Sequence, residues 1–248
     1  MDGMDEMRYL IDFSYSGELF SGYQKQSGLR TVQEELEKVL TSINNAPVSI
    51  CASGRTDAKV SAIHQKAHFD LDKDISCYKL KGALNSYLPD DIHVNSVIVV
   101  SSDFHARYMV KSKTYQYSIN IGDYNPILRT HVFQYCKPLN VRLMKKAIKD
   151  FIGTFDFTSF SSAQDKRTNK VREIFDAKIE EHNDNIIITF KAKGFLKYQV
   201  RSMVGTLIKI GEEKIAPDSI PILINKKDRK SAPFMAPANG LTLILVEY

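Results

Sequence analysis

The stretch Tyr9-Leu10-Ile11-Asp12-Phe13-Ser14-Tyr15 decides the fold class. Tyr9, Ile11, Phe13 and Tyr15 fall on one face and Asp12 and Ser14 on the other, the period of two that marks a half-buried strand. Downstream, Gly17 and Gly22 bracket a loop carrying Phe20, Tyr23, Gln24 and Gln26. Thr31, with Glu34 three residues later, forms a capping box. Val32, Leu36, Val39, Leu40 and Ile43 then lay down the apolar stripe of a helix, which Asn44, Asn45 and Pro47 end. The pattern predicts a strand over 48–52, a second over 64–71, a helix through Leu80, Leu84 and Leu88 stopped by Pro89, and a strand over 91–100. The order is β-α-β, twice.

The second half repeats the theme. Strands are predicted over 108–121 and 131–136, around the turn-rich Gly122-Asp123-Tyr124-Asn125-Pro126. Asn140 caps a helix that turns Met144, Ala147, Ile148 and Phe151 inward, and Gly153 stands at its end. Strands over 171–179 and 186–192 flank the turn His182-Asn183-Asp184-Asn185. Helices over 196–210 and 217–223 and a last alternating strand over 241–248 complete the chain. Strands and helices in this order predict two α+β domains of ferredoxin-like or RRM-like character, with mainly antiparallel sheets. The boundary is placed in 101–107, giving an N-terminal domain 1–103 and a C-terminal domain 104–248.

Composition narrows the classes without choosing among them. The 248 residues are 43% hydrophobic and 25% charged, an ordinary globular balance. No apolar run reaches the roughly 18–20 residues of a membrane span. The start, Met1-Asp2-Gly3-Met4-Asp5-Glu6, is acidic and lacks the apolar core of a signal peptide, so a cytoplasmic protein is expected. Cys51, Cys77 and Cys136 are widely spaced, the six histidines are scattered, and no zinc-type cluster stands out in sequence. A net charge of +5 permits a polyanionic partner without requiring one.

The residues with the most chemistry per length are Ser53-Gly54-Arg55-Thr56-Asp57-Ala58, directly after an apolar run. In isolation they read as a polar turn. Without acidic or histidine neighbours upstream to share a metal, Asp57 is left as a nucleophile or a base. Arg201 lies on a predicted helix beside Val200, Met203, Val204 and Leu207, where a charge is tolerated only if it is paired.

Gly54-Arg55-Thr56-Asp57-Ala58 resembles the signature of the tRNA pseudouridine synthase TruA family, and matches continue in order. They are the first loop from Tyr15 to Gln26; Gln65, His68 and Phe69; Asn85 to Ile92; Asp103-Phe104-His105-Ala106-Arg107; Tyr115 and Tyr117; Asp156 to Phe160; and Ala236 to Leu241 with Val246-Glu247-Tyr248. The resemblance spans nearly the whole chain. It implies an isomerase that converts uridine to pseudouridine in the anticodon stem-loop of tRNA, at positions 38–40, without metal or redox cofactor.

The same resemblance implies a catalytic set of Asp57, Tyr115 and Arg201 in a cleft between the two domains. Tyr115 would stack on the target base and Arg201 would pair with the carboxylate. It also implies a homodimer. Arg55, Thr56, Lys59, His64 and Arg107 are candidate substrate contacts, and a dispersed basic set including Lys111, Lys113, Lys166, Arg167, Lys170, Lys226, Lys227, Arg229 and Lys230 is available to line an RNA groove. Where the family usually has glycine and histidine after Ala58, this chain has Lys59 and Ser61. If that glycine serves a positive φ, Lys59 carries about 1 kcal/mol of strain. These departures keep open a diverged paralogue that binds or folds tRNA with little turnover. A hydrolase acting on a free nucleoside is a weaker third reading.

Overall fold

The computed structural model describes residues 6–248. The acidic N-terminus, on which the reading of no signal peptide rests, lies outside the described residues up to position 5. The chain is α+β with mainly antiparallel strand pairing, and its contacts group into two units, Met1–Lys111 with Leu243–Tyr248, and Ser112–Thr242.

The first unit runs β1 (Met7–Tyr15), α1 (Val32–Asn44), β2 (Cys51–Ala52), β3 (Ser61–Leu71), α2 (Cys77–Tyr87) and β4 (Ile92–Val99). Its strands lie in the order β4-β1-β3, all antiparallel, with short β2 antiparallel to β3. This is the arrangement a β-α-β-β-α-β half makes. Tyr9, Ile11 and Phe13 are fully buried, and Tyr9 stacks on its register partner Phe69 with ring centroids 5.9 Å apart. The capping box forms only in part: Thr31 Oγ1 accepts the Glu34 N–H at 3.4 Å. Val32, Leu36, Val39 and Leu40 face inward from α1, which ends where Asn45 turns left-handed at φ 60°.

The predicted strand over 48–52 shrinks to its last two residues for a specific reason. Side chains of α1 take the N–H groups that a strand would have used: Val48 donates to Thr41 Oγ1 at 3.1 Å and Ile50 to Glu37 Oε1 at 3.3 Å.

The second unit contains β5 (Ser112–Asn120), β6 (Phe133–Gln134), α3 (Val141–Ala147), β7 (Gly153–Asp156), β8 (Val171–His182), β9 (Asn185–Ala192), α4 (Gln199–Gly211) and α5 (Ser219–Lys226). The strand order is β5-β9-β8-β7, antiparallel throughout, and β6 runs parallel to β5. Residues 108–111, predicted as strand, precede β5 as a turn in which Met109 N–H donates to His105 O at 3.1 Å. Strand 131–136 is cut to β6, because His131 and Val132 both donate back to Leu128 O. β7 carries no sequence signal, being four residues of mixed burial paired along β8. Helix α4 starts three residues later than expected, since Tyr198 adopts φ 67° and the side chain of Gln199 accepts the Leu196 N–H at 2.8 Å.

The last strand, β10 (Leu241–Glu247), begins in the second unit, and from Leu243 onward it belongs to the first, beside β3. There Lys111 N–H donates to Glu247 O at 2.9 Å, Tyr248 Oη donates to Ala106 O at 2.6 Å, and the rings of Tyr248 and Phe104 meet edge to face. Among the described residues no helix is long and apolar enough to cross a membrane.

Candidate active site

Residues 53–60 leave β2 as a loop whose conformation is set by buried polar side chains. Gln65, on β3, is fully buried. Its Oε1 accepts from Ser53 Oγ at 2.6 Å and from the Lys66 N–H at 3.1 Å, while its Nε2 donates to Gly54 O at 3.1 Å. The start of the loop is therefore tied to the neighbouring strand through one amide group. The next residues are held from the other side. Thr56 Oγ1 lies 2.7 Å from Tyr15 Oη, and Thr56 O accepts the Tyr23 N–H at 3.1 Å. Burial pushes the Tyr15 phenol up to about 12, so it stays a neutral hydrogen-bonding group through the physiological range.

Asp57 opens a tight turn in which its carbonyl accepts the Val60 N–H at 3.2 Å, and it is half-buried while Arg55, Ala58 and Lys59 are exposed. Lys59 takes φ 66°, the left-handed conformation expected if a glycine normally serves this position. Behind the turn, Gly17 lies flat against the Val60 carbonyl, where any Cβ would collide with backbone. The Gly17 N–H donates to Ser61 Oγ at 3.0 Å, so Ser61 ties the first loop to the turn. That first loop is braced in turn by Arg30, which grips Asp91 through two hydrogen bonds of 2.6 and 2.9 Å and lies 4.2 Å over the Phe20 ring. Catalytic side chains are commonly carried in this way, on a loop that a rigid scaffold over-determines.

The scattered histidines of the sequence do not stay scattered. β2 and β3 pair Cys51 with His68, and the chain after β4 brings in His105, so that their ligand atoms lie within 4.8 Å of one another. The hydrogen bonds argue against a metal there. His68 Nδ1 accepts the Ala106 N–H at 3.1 Å, and His105 Nδ1 accepts from the N–H groups of Arg107 and Tyr108 at 3.2 and 3.3 Å. Each neutral ring consequently carries its proton on Nε2. A histidine that ligates through Nε2 has the reverse arrangement, with Nδ1 donating to an acceptor. His105 Nε2 instead donates to Cys51 Sγ at 3.9 Å.

Burial pushes the Cys51 thiol up, against the opposing charges of Arg107, Arg55 and Arg8, and burial pushes the His68 imidazole down. This is a neutral structural cluster. It also shows Arg55 and Arg107 acting on the same sulfur, so these two candidates share one neighbourhood. His64 lies apart from that cluster, bonded through Nδ1 to Asp12 at 2.9 Å, with Asn95 donating to the same carboxylate.

In the second unit, Tyr115 sits on β5 opposite Phe190, nearly buried, with Phe195 meeting its ring edge to face at 5.3 Å. Tyr117, two residues along, is wholly core. Its hydroxyl donates to Pro237 O at 2.7 Å, and burial pushes its ionisation far up. Arg201 lies in the first turn of α4, partly buried. Its Nε donates to Ala236 O at 2.8 Å, while its own carbonyl accepts the Ala236 N–H at 3.0 Å. The guanidinium carbon lies 5.4 Å from the centre of the Tyr198 ring. Gln65 and Ser61, the two residues that shape the Asp57 loop, carry no individual sequence signal as anchors, since each acts through a contact to a distant segment.

Comparison with known proteins gives concordant results. The family described as tRNA pseudouridine synthase matches residues 13–109 and 147–248. The chain is 44% identical over 245 residues to tRNA pseudouridine synthase A of Streptococcus uberis, covering 97% of this chain and 98% of that protein. It is 45% identical over 245 residues to tRNA pseudouridine synthase A of Streptococcus agalactiae serotype Ia, covering 97% and 95%. It is 42% identical over 247 residues to tRNA pseudouridine synthase A 1 of Bacillus cereus, covering 99% of each. A solved structure titled "Crystal Structure of a Cbf5-Nop10-Gar1 Complex" is similar at a TM-score of 0.37 and 12% identity over 81% of this chain and 44% of its own, too distant to bear on function.

Proposed function

The chain belongs to the tRNA pseudouridine synthase family, and from that membership we propose that it isomerises uridine to pseudouridine in the anticodon stem-loop of tRNA, with Asp57 as the catalytic carboxylate. The observation that carries the assignment of Asp57 is the construction of its loop. Gln65 fixes the residues before it, Tyr15 and Tyr23 fix Thr56 beside it, and Ser61 with Gly17 fixes the turn after it. A carboxylate on a loop anchored at so many points, with exposed Arg55 and Lys59 two residues to either side, suits a polyanionic substrate.

The reaction is an isomerisation, so nothing leaves the substrate. The bond from uracil N1 to ribose C1′ breaks, the base turns, and C5 bonds to C1′. C5 gives up its proton and N1 gains one. Asp57 serves as nucleophile or base in this sequence. The residues matching the family's other active-site positions take the remaining roles. Arg201 matches the arginine that the family pairs with its catalytic carboxylate, and we assign it that role. Tyr115 stacks on the uracil, and an aromatic face restores about 1–3 kcal/mol of the stacking lost when a base leaves the helix. Thr56 positions, and Arg55, Arg107 and His64 contact the RNA strand. The site of action is the cytoplasm, and the active species is a homodimer with one tRNA spanning both copies.

Pseudouridine mapping of total tRNA from cells with and without the protein tests this directly. Loss of pseudouridine at positions 38–40 in its absence is the expected result, restored by the wild-type chain and not by Asp57→Asn. Full restoration by an Asp57→Asn protein that folds normally would overturn the catalytic assignment, and unchanged pseudouridine throughout would overturn the substrate.

A further inference from the structure

We propose that Lys59 is a phosphate-binding residue for the RNA strand next to the target nucleotide, held in place at the expense of backbone strain; this deepens the pseudouridine synthase reading and rests on it. In the turn Asp57-Ala58-Lys59-Val60 the Val60 N–H closes on Asp57 O at 3.2 Å, and Lys59 is the third residue, with φ 66°. Ala58 is not among the residues with positive φ, so the turn is of the type II kind, whose third position favours glycine.

The strain has no means of relaxing. Gly17 packs against the Val60 carbonyl, the Lys59 N–H donates to Phe20 O at 3.4 Å, and Ser61 Oγ holds the Gly17 N–H at 3.0 Å. Of the other left-handed residues, Asn45 and Lys227 end helices, Glu213 follows the C-cap of α4 and Asn183 turns the β8–β9 hairpin, while Cys136 and Tyr198 share the conformation without such a reason evident.

The Lys59 side chain contributes nothing evident to the fold in exchange. It is exposed, and among the described residues its ammonium makes no hydrogen bond or ion pair. A strained backbone carrying an idle side chain on an active-site loop points to a function outside the fold. The available chemistry is a compact cation two residues beyond a carboxylate, mirrored by the exposed Arg55 two residues before it. Each can neutralise a phosphodiester flanking the nucleotide at Asp57, and lysine does so as a point charge without needing bidentate geometry. The position thus trades stability for affinity.

Two variants separate these quantities: Lys59→Gly removes charge and strain together, and Lys59→Gln removes the charge alone. The readouts are thermal melting of the free protein and binding of an unmodified tRNA transcript across a salt series. Lys59→Gly is expected to raise Tm by about 2–4 °C while weakening tRNA binding about 3–10-fold and flattening the salt dependence by roughly one phosphate contact. Lys59→Gln is expected to lose the same affinity without the gain in Tm. Wild-type affinity and salt slope in Lys59→Gly would overturn the proposal, although the wild type still binds tRNA. Failure of the wild type itself to bind tRNA would overturn the underlying reading as well.

Discussion

Ser61 Oγ accepts the backbone N–H of Gly17 at 3.0 Å, a buried hydrogen bond between segments 44 residues apart that joins the first loop to the turn after Asp57. Ser61→Ala leaves that N–H buried without an acceptor, at an expected cost of about 1–3 kcal/mol. Urea unfolding measures it. A midpoint equal to that of the wild type would show that the turn does not depend on this bond.

Gln65 is expected to be the more sensitive anchor. Gln65→Leu keeps the volume, but it removes the acceptor of Ser53 Oγ and the donor to Gly54 O at a fully buried site. The expected loss is about 2–4 kcal/mol, since polar groups are left in a dry environment. Pseudouridine formation should fall through kcat more than through KM, because the loop that carries Asp57 is loosened while the exposed cations remain. A proportional rise in KM alone would contradict this.

Gly205→Ala probes the other unit. A Cβ at Gly205 would fall on the carbonyl oxygen of Phe234, which is backbone and cannot move aside as a side chain end can. The expected destabilisation is about 2–4 kcal/mol. Activity should drop with it, since Arg201, one turn earlier on α4, is bonded to Ala236 in the same packed segment. Calorimetry and the pseudouridine assay on one preparation check both parts.

Glu212 supplies a pH dependence. Burial acts to raise its carboxyl, but hydrogen bonds from Lys209, Lys214 and Tyr135 outweigh that and hold it down to about 2. A depressed carboxylate contributes stability that is fully present above the unfolded value of 4.5 and is lost as pH falls towards about 2. Glu212→Gln should therefore cost about 2 kcal/mol at pH 7, with the gap to wild type narrowing steadily below pH 4.5. A gap that stays constant down to the acid limit would place the effect elsewhere.

How much of this was legible in the sequence depended on whether a feature is local. The alternation from Tyr9 to Tyr15, the stripe of α1 and the Asn183 turn are written in neighbouring residues, and the structure contains each. The strained Lys59 was also foreseeable, because a turn that wants glycine constrains whatever occupies it. Residues 48–50 depart from the strand their pattern predicts because Thr41 and Glu37 take their N–H groups, a competition between side chain and ladder that periodicity cannot register. The neutral cluster of Cys51, His68 and His105 was invisible for a related reason. It depends on the register that sets Cys51 opposite His68 and on a segment arriving from beyond β4.

The return of residues 243–248 to the first unit has a consequence for biosynthesis. Residues from Leu243 to Tyr248 belong to the first unit, where Glu247 and Tyr248 bind the backbone of Lys111 and Ala106. Domains generally fold in the order in which they leave the ribosome. Here the first unit to emerge cannot be finished until all of 112–242 has been translated, so during synthesis it waits with β3 lacking a neighbour. The Asp57 loop is built against that same strand through Gln65. A nascent chain should therefore form the Asp57 loop, whose anchors all lie between Tyr15 and Lys66, before β3 acquires β10, and a ribosome stalled within 112–242 would display an N-terminal half that holds this loop but lacks the strand that completes its sheet.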